Sequence, residues 1–197
     1  MNRARTFDPH TTLSQVVDLF SSKGYSETSM EDIVQTTGVS RYGLYGTFGN
    51  KRELFEQALE QYAEGMGKQS FLRLLEPGAS LEHVRAIFDE RVADMCCGEE
   101  NKGCLFIHTA MELAPQDEEL RGVLQRFMKR MSKAFAIGLD SAKGRGEVAQ
   151  DVDVDAAGEL LTSTMFGLAV LGRTGFPKAT LDGIVDSTLE SIQAGGK

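Results

Sequence analysis

The residues best able to do chemistry lie in "MCCGEENKGCLFIHTAMELA", residues 95–114. Cys104, His108 and Glu112 recur every four residues, so a helix would carry thiol, imidazole and carboxylate on one face. That set suits thiol chemistry or metal ligation. Two ligands four residues apart can share an ion, but all three span about 12 Å along the axis and cannot converge on one. Cys97 is the alternative ligand; without a further one at usable spacing, no metal and no cofactor are expected. If a helix begins near Gly103, Cys104 lies in its first turn, where free amides favour the thiolate. Cys104 would then sense an oxidant or electrophile, with Cys96 or Cys97 resolving it. No nucleophile, base and orienting group assemble at recognisable spacing, so no catalytic residues are assigned and an enzyme is not expected.

A second group of polar residues lies in "TSMEDIVQTTGVSRYGLYGTFGNKREL", residues 28–54. Two short helical patterns are joined through Gly38, as in a helix-turn-helix, whose second helix enters the major groove of DNA. Arg41, Tyr42 and Gly43 stand at the start of that second helix. Arginine there suits a guanine edge, while phenol, ammonium and hydroxyl groups suit phosphate oxygens. Gly43 and Gly46 each cost a helix interior about 1 kcal/mol relative to alanine, which is tolerable where backbone must approach another surface closely.

Helices must position both groups. Asp8-Pro9 opens the first, with Leu13, Val16, Val17 and Phe20 on one face until Gly24. Thr28-x-x-Glu31 reads as a capping box for the second, which ends at Gly38. Ser40 caps the third, and Asn50-x-x-Glu53 caps a longer fourth. Beyond it, Leu81 to Met95, Leu105 to Leu113, Leu120 to Phe135, Ala156 to Leu171 and Thr180 to Ile192 keep helical spacing, with no strand alternation. The expected fold is all-α, with residues 1–55 as a helix-turn-helix domain and 56–197 as a larger helical domain.

At 197 residues the chain can bury a sizeable core without disulfide staples. An odd count of three cysteines with no framework spacing argues against a secreted scaffold. No run approaches ~18 consecutive apolar residues and no apolar signal core opens the chain, so a cytoplasmic protein without membrane association is expected. The net charge of −8 would disfavour nucleic acid, but it is uneven. Residues 1–55 hold six Lys/Arg and six Asp/Glu, whereas residues 56–197 hold fifteen against twenty-three. A neutral head can contact DNA if Arg41, Lys51, Arg52 and the arm residues Arg3 and Arg5 cluster.

Residues 10–60 resemble the N-terminal DNA-binding region of TetR/AcrR-type transcriptional repressors. The resemblance is carried by Thr28, Ile33, Gly38, Val39, Ser40, Leu44, Tyr45, Phe48, Lys51 and Leu54 at fixed spacings, with "LFSSKGYSETS" upstream. It implies a ligand-responsive repressor that binds a palindromic double-stranded DNA operator as a homodimer and is released by a small-molecule effector. Thr28, Tyr45 and Lys51 match positions that grip phosphates, and Ser40, Arg41, Tyr42, Gly43 and Thr47 complete the expected DNA-facing set. Gly46 and Thr47 depart from the family pattern, so base preference does not carry over. The resemblance also implies dimerisation through the last two helices, where Leu160, Leu161, Met165, Leu168, Leu181, Ile184, Val185 and Leu189 form stripes that equally suit an intramolecular core. An effector pocket is expected among the middle helices, at Met95, Cys104, Phe106, His108, Met111, Phe127, Met131 and Phe166. Two alternatives stay open: a helical thiol- or metal-based enzyme or sensor, and a ligand-binding module without DNA function.

Overall fold

The computed structural model describes residues 7–66, 71–96 and 103–195, and every regular element among them is a helix. In order these are α1 (Pro9–Lys23), α2 (Met30–Thr37), α3 (Arg41–Phe48), α4 (Lys51–Met66), α5 (Leu72–Leu75), α6 (Leu81–Cys96), α7 (Leu105–Glu112), α8 (Glu118–Gly144), α9 (Val154–Arg173) and α10 (Lys178–Glu190). An isolated antiparallel bridge joins Val148 and Gln193. Arg3, Arg5 and Cys97 lie outside the described residues.

The chain divides into two units, Met1–Gly65 with Cys104–Arg121, and Met66–Gly103 with Gly122–Lys197. This differs from a break at residue 55, because α4 runs through that point and α7 packs on α1 in the first unit.

In the first unit the caps set the helix boundaries. Asp8 accepts the Thr11 N–H at 2.9 Å, Pro9 opens α1, and Gly24 closes it at φ 81°. The capping box of α2 forms one residue later than Thr28-x-x-Glu31, at Ser29 and Asp32. Ser29 Oγ accepts the Asp32 N–H and Asp32 accepts the Ser29 N–H, while Thr28 is buried with its hydroxyl donated to the Gly24 carbonyl at 2.7 Å. Burial removes Thr28 from the competition for the cap. Asn50 and Glu53 form the expected reciprocal cap of α4. Phe55 meets Phe20 and Tyr25 edge to face around the α1–α2 turn, with ring centroids 5.0 Å apart for Phe20–Phe55 and 4.9 Å for Tyr25–Phe55. Phe20 and Phe55, both fully buried, each contribute about 1.5–3 kcal/mol through lost apolar exposure.

In the second unit α9 and α10 pack against α6 and against each other. The apolar face of α9 turns inward: Leu161, Met165 and Leu168 are buried, as are Leu181, Val185 and Leu189 of α10. These six of the eight residues expected at a dimer interface are buried within their own protomer, where α9 and α10 pack on α6 and on each other. Leu160 is exposed and Ile184 half-buried. At Gly158 a side chain would overlap the Ser132 carbonyl of α8, so the crossing requires glycine. The same crossing is tied by Ser132 Oγ donating to Thr162 Oγ1 at 3.0 Å. Phe135 of α8 stacks on Phe88 and meets Phe71 edge-on. By length and composition α9 is apolar enough to cross a membrane; here one stripe of it is core and another, Ala156, Leu160, Ser163, Gly167 and Val170, is exposed.

Candidate nucleic-acid interface

The turn between α2 and α3 is built by Gly38, whose φ of 68° and ψ of 5° form the left-handed cap that glycine adopts without a Cβ penalty. Its N–H donates to the Val34 carbonyl at 2.9 Å. Two residues on, Ser40 Oγ accepts the Gly43 N–H at 3.2 Å and starts α3. Leu44 and Phe48 anchor that helix in the core. Every residue on its opposite face is then forced outward.

That outward face holds Arg41, Tyr42, Tyr45, Gly46 and Thr47. Tyr42 is 89% exposed and Tyr45 46%, which no packing demand explains in large aromatic side chains. The Arg41 guanidinium pairs with the Glu31 carboxylate of α2. Both side chains are more than half exposed, so the pair holds by no more than about 1 kcal/mol and can be exchanged for a base edge or phosphate. The two glycines differ. At Gly46 a Cβ would meet nothing within 4 Å among the described residues, so their packing does not account for that glycine. At Gly43 a Cβ would stand 3.1 Å from Val39 Cγ1 and 3.3 Å from Ser40 Oγ, so the chain's own packing leaves little room for a side chain there.

Lys51 is held more firmly than its expected role requires. Its ammonium donates to the Tyr25 carbonyl at 2.6 Å and lies 4.2 Å from the centroid of the Tyr25 ring. Burial pulls the lysine below its usual range, against the opposing charges of Glu112 and Asp32. The side chain remains part-exposed, which leaves ammonium hydrogens for a phosphate. Thr28, expected to touch phosphate, has no exposed surface; Ser29 is the exposed hydroxyl at the start of α2.

The Cys104, His108 and Glu112 face folds into the same unit as these helices. Cys104 is the N-cap residue of α7, not a first-turn residue, and its buried thiol accepts the Tyr62 hydroxyl at 3.5 Å. Cys96 is exposed at the end of α6. His108 Nδ1 lies 3.4 Å from Glu112 Oε1, while Glu112 Oε2 accepts the backbone N–H groups of Tyr25 and Ser26, each at 3.0 Å. Glu112 was singled out in the sequence for thiol or metal chemistry; nothing in its local pattern announced an 86-residue reach to a turn.

The expected effector residues divide between the units. Phe106 is buried against Tyr62 in the first unit, His108 is half-buried there, and Met111 is 76% exposed, which removes it from any pocket wall in its own unit. Phe127 and Met131 are buried in the second unit, and Met95 and Phe166 are half-buried there. An open depression lined by Phe48, Gly49, Glu53, Glu56, Gln57 and Glu60 contains none of the eight.

Comparison with known proteins gives the same picture. Residues 13–58 match bacterial regulatory proteins of the tetR family, and residues 80–180 match the tetracyclin repressor-like C-terminal domain. The chain is 34% identical over 193 residues to the uncharacterized HTH-type transcriptional regulator YezE of Bacillus subtilis, covering 98% of this chain and all of that one. It is 26% identical over 188 residues to the HTH-type transcriptional repressor ComR of Escherichia coli, covering 95% and 90%. A cysteine-substituted form of the TetR family transcriptional regulator CifR, solved with 26-base-pair double-strand operator DNA, superposes with a TM-score of 0.82 at 27% identity, covering 96% of this chain and 99% of that one.

Proposed function

The chain belongs to the TetR family of bacterial transcriptional regulators, and from that premise we propose that it is a ligand-responsive repressor. In this reading a homodimer binds a palindromic DNA operator and a small molecule releases it. The outward face of α3 carries the proposal: Tyr42 and Tyr45 stand exposed beside Arg41, Gly46 and Thr47, on a helix fixed by Leu44 and Phe48. Arg41 reads a base edge, Tyr42 and Tyr45 contact base or phosphate, Lys51 and Ser40 hold phosphates, and the bare backbone at Gly46 permits close approach. A protein of this kind acts in the cytoplasm, where its operator is.

Two half-sites one helical turn apart require a symmetric pair. We place the pairing face on the outer stripe of α9, at Leu160, Gly167 and Val170, with Ile184 and Gly183 of α10 beside it. Leu160 and Val170 are 45% and 47% exposed and share this face of α9 with the exposed Gly167, which supports close approach of a second copy. The effector is assigned to the second unit, around Met95, Phe127, Met131 and Phe166, where flexible thioethers adapt to an apolar molecule.

The test is recovery of bound fragments from sheared genomic DNA at low and moderate salt. Enriched fragments sharing an inverted repeat, lost with Tyr42→Ala, support the proposal. Salt-labile recovery with no shared sequence refutes it.

A further inference from the structure

The α1–α2 turn is gripped from two sides. On one side Lys51 of α4 donates to the Tyr25 carbonyl, and the Tyr25 ring packs against Phe20 and Phe55. On the other, a single oxygen of Glu112, from α7, accepts the N–H groups of both Tyr25 and Ser26. Gly24 makes room for that carboxylate: its φ is 81°, and any side chain there would overlap the Glu112 carboxyl group. The turn thus forms a cradle of two amides over a bare Cα, and the acid that fills it is eighty-six residues away in sequence. Its second oxygen faces His108.

This geometry exceeds what holding α7 in place requires. Hydrogen bonds to a carboxylate are about twice as strong as neutral ones, and paired amides fix direction as well as distance. The turn they fix leads through Thr28 and the Ser29 cap directly into α2, and α2 carries the Gly38 turn that orients α3. One turn later along the chain, Asp117 pairs with Arg52 of α4 at 2.5 Å, so the segment from Glu112 to Asp117 holds both ends of the helix-turn-helix.

We propose that Glu112 is a positioning residue for operator binding: its carboxylate clasps the α1–α2 turn in the arrangement that presents α3 to DNA. Loss of the carboxylate loosens the turn and lowers operator affinity. The proposal rests on the operator-binding reading above and adds the contact through which that binding is set.

The experiment uses the full-length protein and an operator fragment recovered from the genomic selection. If wild-type protein recovers no specific fragment, the operator reading itself has failed and the clasp is not reached. With an operator in hand, amide hydrogen exchange at Tyr25 and Ser26 is measured in wild-type protein, free and bound. Affinities of wild type, Glu112→Gln and Gln61→Ala are measured across a salt series. Gln61→Ala removes a different α4–α1 link, Gln61 Nε2 to Ser14 Oγ at 2.9 Å, and controls for general loosening. The expected result has three parts. Bound operator slows exchange at both amides, by reciprocity of the coupling. Glu112→Gln lowers affinity at least tenfold with an unchanged salt slope, because no phosphate contact is lost. Gln61→Ala changes affinity less than threefold. Affinity of Glu112→Gln within twofold of wild type, a gain in its affinity, or a salt slope reduced by about one would overturn the proposal. So would Tyr25 and Ser26 exchange that operator leaves unchanged or speeds, a measurement that stands even if Glu112→Gln does not fold.

Discussion

Replacing Gly46 by alanine separates what α3 needs for its own stability from what it needs for its partner. A Cβ at Gly46 meets nothing within 4 Å among the described residues, so the change adds no strain against them. Alanine is better than glycine in a helix interior by about 0.8–1 kcal/mol. For a chain of this length that gain raises the melting temperature by roughly 2–4 °C. The new methyl group stands on the outward face between Tyr42 and Thr47, where a DNA surface in close contact has no space for it. Operator affinity should therefore fall, by about tenfold if the methyl displaces the helix from one bidentate contact worth about 1–3 kcal/mol. Gly43→Ala should behave differently. Its methyl group lies 3.1 Å from Val39 Cγ1, 3.3 Å from Ser40 Oγ and 3.4 Å from Phe7, so the neighbours must give by a few tenths of an ångström and the propensity gain is cancelled. The expected stability change is between zero and about 1 kcal/mol of loss, the low end of overpacking. Thermal unfolding followed by helical ellipticity and fluorescence-anisotropy titration of an operator fragment read the two quantities separately. A stabilised Gly46→Ala protein with unchanged affinity would show that the bare backbone faces solvent only, and the close-approach argument would fall.

Other consequences follow from particular contacts. Gly158→Ala should lose about 1–3 kcal/mol in urea unfolding, because the added carbon strikes the Ser132 carbonyl, and backbone moves less easily than a side-chain tip. Leu160→Glu with Val170→Glu should leave the protomer folded and, if the outer stripe of α9 is the pairing face, shift sedimentation from dimer to monomer; both residues are already exposed in the protomer. Acid should unfold the protein in a window set by its paired carboxylates. Lys23 and Ser29 hold Asp32 well below the usual carboxylate range, and Arg52 does the same for Asp117. A depressed folded value means that their stabilisation is full above the unfolded value of roughly 4 and is lost as pH falls below it. Asp32→Asn should thus flatten the urea-midpoint profile below about pH 4 and leave its shape near neutrality unchanged. A thiol reagent should label Cys96, which is exposed, well before Cys104, which lies buried under Tyr62 in the folded protein.

Helix positions were legible because they depend on near neighbours in sequence. Asp8-Pro9, Gly38, Ser40 and Asn50-x-x-Glu53 all sit where their local chemistry placed them. The one displaced cap, from Thr28 to Ser29, was decided by burial of the threonine hydroxyl against Gly24, a tertiary fact that the local pattern cannot encode. Helix α5 went unread because four residues give no period. The cores of α3 and α9 were readable as apolar stripes, but a stripe names only a buried face and not what buries it. That is why Leu161, Met165, Leu168, Leu181, Val185 and Leu189 read as an interface and proved to be the protomer's own interior.

The same reasoning explains why the exposed residues say more about function than the buried ones. A buried leucine satisfies the hydrophobic demand of any helical fold, whereas Tyr42 at 89% exposure satisfies none and needs an external reason. Glycine follows the rule in reverse: Gly43 and Gly158 are explained by the atoms that crowd them, and Gly46 by none of the described residues. Charge adds a third case. Within the charge-balanced residues 1–55, Lys23, Arg41 and Arg52 already hold acidic partners, so a DNA phosphate must compete for them. Arg41 is the easiest to win, since its pair with Glu31 is a single exposed contact, while Arg52 is bound by both Glu56 and Asp117. The arginine free to change partners stands at the start of α3, and the one locked in place secures α4 behind it.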